Sequence, residues 1–315
     1  MSGKGGRFVK SATAGHATGR LSFAFTLGGV ILDRISIVLP AKNEAPALKT
    51  LLPRLRAAQP DAEIIVVDDG STDDTREICA SAGVQCLSSP YSMGNGAAIK
   101  RGARAASGDI LVFMDGDGQH DPADIARLLQ RLAEGYDMVV GARDWGSQAG
   151  VGRGVANTIY NWLATRMTGH EVADLTSGFR AVRAQRFREF LHLLPNGFSY
   201  PTTSTMAFFR SAYPVAYLPI KAAQRVGKSH IKPLKDGVRF LLIIFKIATL
   251  YSPLKLFAPA AVVFFLLGSA NYAWTFSHEG RLTNMSTLMW SAAVIIFLIG
   301  LVSEQITALM YRRDG

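Results

Sequence analysis

The segment DGDGQ, Asp115 to Gln119, directly follows the apolar run ILVFM. Alternate side chains leaving a strand point the same way, so Asp115, Asp117 and Gln119 can present oxygens to one hard cation that bridges a diphosphate. Acidic turns also occur for purely structural reasons, and a DxD triplet alone does not choose between the two. Two other acidic segments accompany it. VVDDGSTDDT places Asp68 and Asp69 after a second apolar run and ahead of a Ser/Thr/Asp helix cap, and PAKNE places Glu44 after a third. Asp68 before Gly-Ser-Thr is also a good turn residue in its own right. Gly94-Asn95-Gly96, ahead of Lys100, lacks both the GxxxxGK[ST] and the GxGxxG spacing, so it reads as a glycine-permitted turn into a helix rather than a phosphate loop.

The elements that must carry these residues alternate regularly. ISIVLPA, EIIVVDDG, DILVFMD and YDMVVGAR read as buried strands, with a short strand near Val84 to Ser88. Helices fit the stretches Asn43 to Ala58, Thr72 to Ala82 and Gly96 to Ala106, and another begins after Asp121-Pro122, where Pro suits a first helical turn. Apolar runs separated by helices imply a mostly parallel sheet covered on both faces, an α/β domain. Ligands of such sheets gather at the carboxyl ends of the strands. Those ends carry Pro40 to Glu44, Asp68 and Asp69, Asp115 to Gln119, and Arg143.

Two apolar stretches near the C-terminus, Leu256 to Phe276 and Ser286 to Ala308, approach the ~20 residues a membrane helix needs. The short loop SHEGRLTN joins them into a hairpin with both ends on one side. Lys246 and Lys255 before it and Arg312 and Arg313 after it outnumber Arg281 in the loop, which places the α/β domain on the cytoplasmic face of a plasma or inner membrane. Lys235, Arg239 and Lys246 share a helical face, as in a helix lying in the headgroup layer. The net charge of +10 fits a polyanionic partner, and the crowding of cations between Lys221 and Lys255 points to lipid rather than nucleic acid. Cys79 and Cys86 have no metal-ligand spacing and read as structural. The expected organisation is a basic extension over 1–33, a cytoplasmic domain over 34–231, an interfacial helix over 232–254, a transmembrane hairpin over 255–311 and a tail over 312–315.

Taken in order, PAKNE, VVDDGSTDDT, MDGDGQ, GAR and SGFR resemble the family-2 glycosyltransferases, and more closely their dolichyl- and polyprenyl-phosphate sugar synthase branch. The likeness runs from about Ile35 to Val226, and the hairpin is similar to that of membrane-anchored members. The resemblance implies a GT-A type nucleotide-diphospho-sugar transferase domain. It implies that Pro40, Lys42, Glu44, Asp68, Asp69 and Asp115 line the nucleotide pocket, and that Asp115, Asp117 and Gln119 hold Mg²⁺ or Mn²⁺. Lys42 stands where many relatives carry an aromatic residue. On the acceptor side the resemblance implies Arg143, Arg153 and Asn157 at a lipid phosphate, with Asn157 where some relatives have Ser, and Ser177 and Arg180 nearby. In QRVGKSH it implies that Arg225 closes over the diphosphate, supported by Lys228 and Ser229. The partners implied are a nucleotide-sugar, GDP- or UDP-linked, a polyprenyl phosphate and membrane lipid; an oligomer is compatible with all of this. A processive polysaccharide synthase would carry QxxRW and a TED-like base, and neither occurs. A non-catalytic scaffold would have no use for the acidic strand end together with the matching arginines.

Overall fold

The structure, a computed structural model, describes residues 26–27, 30–31, 33–143, 151–197, 199–221, 242, 245–246, 249 and 251–311, and within the helix that starts at Val151 it describes side chains from Thr158 onward. Met1–Asp33 is a unit of its own, in which β1 (Thr26–Leu27) pairs antiparallel with β2 (Val30–Ile31).

The unit Arg34–Gly315 begins with β3 (Ile35–Ala41), α1 (Ala45–Ala58), β4 (Glu63–Asp68), α2 (Thr75–Ser81), β5 (Gln85–Ser88), α3 (Asn95–Ala105), β6 (Ile110–Phe113), α4 (Asp124–Ala133) and β7 (Met138–Arg143). It continues through α5 (Val151–Thr168), β8 (Arg180–Arg183), α6 (Ala184–Arg188), α7 (Tyr200–Arg210) and β9 (Val215–Ile220). The seven strands from β3 onward form one sheet in the order β5-β4-β3-β6-β8-β7-β9. All neighbours are parallel except β8, which runs antiparallel to both β6 and β7.

Strand periodicity sorts the core into two layers. Ile37, Leu39, Ile64, Val66 and Val112 face one side and pack on Leu48, Leu51 and Leu55 of α1 and Ile125 and Leu128 of α4. Val38, Ile65, Val67, Leu111 and Phe113 face the other, against Ala98 and Ile99 of α3, Phe187 of α6 and Phe208 of α7. Helix α3 approaches very closely: a Cβ at Gly102 would lie 2.3 Å from Val38 Cγ1. Gly94, at φ +102°, leads directly into α3, whose first residues are Asn95 and Gly96. The first amides of α3 donate to the 196–197 backbone, Gly96 N to Gly197 O at 3.1 Å and Ala97 N to Asn196 O at 2.9 Å, so they offer no free cradle to a phosphate.

Two long helices complete the unit, α8 (Leu254–Glu279) and α9 (Asn284–Met310), both long and apolar enough to cross a membrane. Their mutual seam is built from small residues at heptad spacing, Ala261, Gly268 and Thr275 on α8 and Ser286, Ala293, Gly300 and Thr307 on α9. A Cβ at Gly300 would sit 2.6 Å from Phe257 Cβ. The large residues, among them Phe264, Phe265, Leu298 and Val302, point outward. At the base of the hairpin Glu304, whose role the sequence leaves open, accepts from Arg210 of α7 at 3.2 Å, from Ser252 Oγ at 3.0 Å and from the Leu254 amide at 3.2 Å. Lys255 donates to Met167 O at 3.0 Å and Tyr251 to Thr168 O at 3.3 Å, which grips the end of α5.

Candidate active site

Because β8 is antiparallel to β6, with Phe113 opposite Arg180, the chain entering β8 passes beside the acidic residues leaving β6. Gly178 is the close-approach point. A Cβ there would lie 3.0 Å from Asp115 Oδ2 and 3.2 Å from the Tyr200 hydroxyl, which donates to Gly178 O at 3.0 Å. Asp115 is pushed up to about 6, chiefly by burial and then by repulsion from Asp117, while Arg143 and the Asn95 amide partly offset both. Gly118, at φ +74°, turns the chain so that Asp117 Oδ1 accepts from the Gln119 amide at 3.1 Å. Asp115, Asp117 and Gln119 are all part-exposed. A carboxyl raised by burial and by a neighbouring carboxylate is an environment a divalent cation relieves. Among the described residues no three His, Cys, Asp or Glu side chains gather into an all-protein cage. A hard cation held by one or two carboxylates and completed by substrate phosphates needs none.

Arg143, at the carboxyl end of β7, is oriented by Asp174. Its Nε donates to Asp174 Oδ2 at 2.8 Å, and Nη2 donates to Asp174 Oδ1 at 3.2 Å and Thr176 Oγ1 at 2.7 Å. Burial alone would raise the Asp174 carboxyl, but the Arg143 fork outweighs it and holds the group below its ordinary value. His120 stacks on Phe179 with ring centroids 4.9 Å apart, and burial depresses it to about 4, so it is a neutral ring at physiological pH.

On the β3 and β4 side, two loops are stitched together. Asn43, in the left-handed region at φ 55°, accepts from the Thr72 amide at 2.8 Å, and its own amide donates to Ser71 Oγ at 2.9 Å. Asp73 accepts from the Ala45 amide at 3.1 Å. Asp68 is buried and accepts from Ser71 N and Arg76 Nε, both at 2.8 Å. Asp69 accepts from Ser92 Oγ and Met93 N at 2.6 Å and from Gly94 N at 2.9 Å. The paired aspartates therefore build the wall between β4 and the 92–94 loop, and any contact with a base or ribose is left to their remaining lone pairs. Pro40 is buried behind this wall, Glu44 is part-exposed and Lys42 is exposed.

A cavity of about 600 Å³ is lined by Asp115, Asn95, Thr176, Tyr200 and Thr202 and by Leu242 and Lys246. An acidic strand end in an α/β sheet, followed by two long apolar helices, agrees with the comparisons to known proteins. Residues 36–191 match the family described as Glycosyl transferase family 2, and residues 252–309 match the GtrB C-terminal hairpin. The chain carries a family-2 glycosyltransferase domain. Glycosyltransferase AglJ of Haloferax volcanii is 27% identical over 88% of this chain and 95% of its own length. The undecaprenyl-phosphate 4-deoxy-4-formamido-L-arabinose transferase of Photorhabdus laumondii subsp. laumondii is 35% identical over 48% of this chain; the match spans 50% of that relative's length. Among solved structures, glucosyl-3-phosphoglycerate synthase from Mycobacterium tuberculosis in complex with Mn²⁺ and UDP-glucose superposes with a TM-score of 0.56 at 24% identity, covering 69% of this chain and 78% of that one. The GT-A type fold of the glycosyltransferase domain is thus shared.

Of the residues the sequence singles out in this domain, the structure gathers Asp115, Asp117, Gln119 and Arg143 at the strand ends. It corrects the expectation for Ser177 and Arg180. Both are buried, Arg180 with no exposed surface, and its guanidinium donates to Ser177 O, Pro201 O, Ser204 Oγ and Thr205 Oγ1 beneath α7 instead of facing an acceptor. Arg153 and Asn157 fall on the amino-terminal half of α5, where only the backbone is described, and Arg225, Lys228 and Ser229 lie outside the described residues. Asp174, Asn95 and Tyr200 are site residues that sequence reasoning missed. Asp174 had a signal: its carboxylate accepts from the Thr176 and Ser177 amides, the Asx turn that Asp-Leu-Thr-Ser spells.

Proposed function

We propose that this glycosyltransferase moves one sugar from a nucleotide-sugar to a polyprenyl phosphate at the cytoplasmic face of a membrane, with Mg²⁺ or Mn²⁺ as cofactor. The observation that carries this reading is a cavity lined both by Asp115 and by Leu242 and Lys246 of the helix to which Thr307 of α9 is hydrogen-bonded. The named activities of the relatives favour the same reading, since an undecaprenyl-phosphate sugar transferase is among them.

The nucleotide lies along the wall formed by residues 40–44 and 68–69, with its diphosphate toward Asp115, Asp117 and Gln119. Asp115, Asp117 and Gln119 would hold the divalent cation, which would supply neutralising charge for the departing diphosphate. Arg143 has Nη1 free of the Asp174 fork and is aimed by it; a guanidinium preorganised in this way stabilises phosphate charge without reorientation during the reaction. Arg153, Asn157, Lys228 and Ser229 are assigned to the acceptor phosphate, and Arg225 to the diphosphate, by resemblance. A phosphate monoester with a second pKa of about 6 is already largely ionised at neutral pH, so the nucleophile needs positioning rather than a general base. Single in-line displacement inverts the anomeric carbon. The greater number of cations at the domain side of the hairpin supports the cytoplasmic placement.

The test is radiolabel transfer into an organic phase with purified protein in detergent, Mg²⁺ or Mn²⁺, a short polyprenyl phosphate and a panel of GDP- and UDP-sugars. Metal-dependent labelling from one donor, lost in Asp117→Ala, is the expected result. Polymer formation, or binding without transfer from every donor, would overturn the assignment.

A further inference from the structure

Among the described residues lining the cavity at Asp115, Lys246 is the only cation and Asp115 the only anion; the other described lining side chains are neutral. Residues 242, 245, 246 and 249 are helical, and the Thr249 hydroxyl donates to Phe245 O at 2.9 Å. Leu242 and Lys246, one turn apart, therefore share the face that looks into the cavity. This helix is joined to the membrane segment, because Thr307 of α9 donates to Thr249 O at 2.9 Å. Leu242 and Phe245 are both more than half exposed, as suits a helix resting on lipid.

Lys246 is half-buried, and burial pulls its pKa below the ordinary lysine value. Among the described residues no carboxylate pairs with it. A desolvated ammonium is costly until an anion enters its environment. The anion that suits this position comes from the membrane side, carries a phosphate and trails an apolar chain past Leu242. We propose that Lys246 binds the phosphate of the lipid acceptor, with the exposed Leu242 in the same cavity lining packing on the first isoprenoid unit. This rests on the reading of the protein as a polyprenyl-phosphate sugar transferase. It moves Lys246 from a general headgroup contact to the acceptor site itself and makes the juxtamembrane helix part of acceptor selection.

The experiment uses full-length protein in detergent with the variants Lys246→Gln and Lys246→Arg. The readouts are the KM for a short polyprenyl phosphate, the Kd of the nucleoside diphosphate with Mn²⁺, and direct binding of farnesyl phosphate, farnesol and inorganic phosphate. One charge-assisted hydrogen bond corresponds to about a 10- to 100-fold effect. Lys246→Gln should raise the acceptor KM by about that factor, with a smaller change in kcat and no change in nucleotide Kd, and Lys246→Arg should recover most of the loss. Farnesyl phosphate should bind more tightly than either farnesol or inorganic phosphate, and only the phosphates should weaken in Lys246→Gln. An unchanged acceptor KM, or a weakened nucleotide Kd with acceptor binding intact, overturns the proposal. If the wild-type protein transfers no sugar but Lys246→Gln still weakens farnesyl phosphate, the transfer reading fails while the role of Lys246 stands.

Discussion

Replacing Arg180 separates structure from catalysis at this site. The side chain has no exposed surface, burial pulls its pKa down, and no carboxylate among the described residues pairs with it. Its Nη1 donates to Pro201 O at 3.1 Å, Ser204 Oγ at 2.8 Å and Thr205 Oγ1 at 3.1 Å, and Nη2 donates to Ser177 O. In Arg180→Met two of these four partners have somewhere else to turn. Ser204 Oγ already donates to Tyr200 O and Pro201 O, so Pro201 O keeps a donor. Ser177 O is left stranded and Thr205 loses a donor. A stranded buried carbonyl costs about 1–3 kcal/mol, and lost packing adds about 1 kcal/mol. Removing an unpaired buried charge offsets a little of this. The net expectation is about 2–4 kcal/mol of destabilisation, or about 5–15 °C in Tm at the 2–4 °C per kcal/mol of a domain this size. Thermal unfolding in detergent reads that shift, and transfer assays well below the new Tm read kcat/KM. The folded variant should retain kcat/KM within about tenfold, since the guanidinium meets no substrate. An unchanged Tm with a loss near a thousandfold would refute the reasoning and put Arg180 at the acceptor phosphate, as the sequence implied.

Arg210 and Glu304 should couple across the joint between α7 and α9. Their side chains are 20% and 24% exposed, between the surface and buried limits, so a double-mutant cycle of Arg210→Gln and Glu304→Gln should give a coupling of about 1–2 kcal/mol in thermal or denaturant unfolding. A coupling indistinguishable from zero would mean that the hairpin base is held by packing alone. The pH dependence of stability has two limbs. Asp68 and Asp174 have folded pKa values below the ordinary 3.8, so their contribution is complete above about pH 4 and is lost as pH falls through those lower values. Asp115, raised to about 6, works in the opposite sense in metal-free protein: its contribution is full below 3.8 and fades as pH rises through about 6. Tm measured across this range in chelator should show both limbs, and Asp174→Asn should flatten part of the acid limb; an acid limb identical to wild type would remove Asp174 from the account.

The alternation of buried strands and helices from Ile35 to Arg143 was legible from residue pattern, because strand period and helix period are local properties of the chain. So were the acidic strand ends, since a parallel sheet always delivers them to one edge, and so was the length of the two apolar helices. Three features lay beyond the sequence. The antiparallel insertion of β8 between β6 and β7 sets Gly178 against Asp115, and nothing in the four residues RAVR marks which strands they join. Arg180 looked like a ligand because a sequence shows a charge but not its burial; only the packing of α7 over β8 turned it inward. Likewise Lys246 read as a cation facing the headgroup layer, and the role of Glu304 stayed open. The residues each meets lie far along the chain, and only the folding of the hairpin base onto α5 and α7 brought Lys246 to the Asp115 cavity and Glu304 to Arg210.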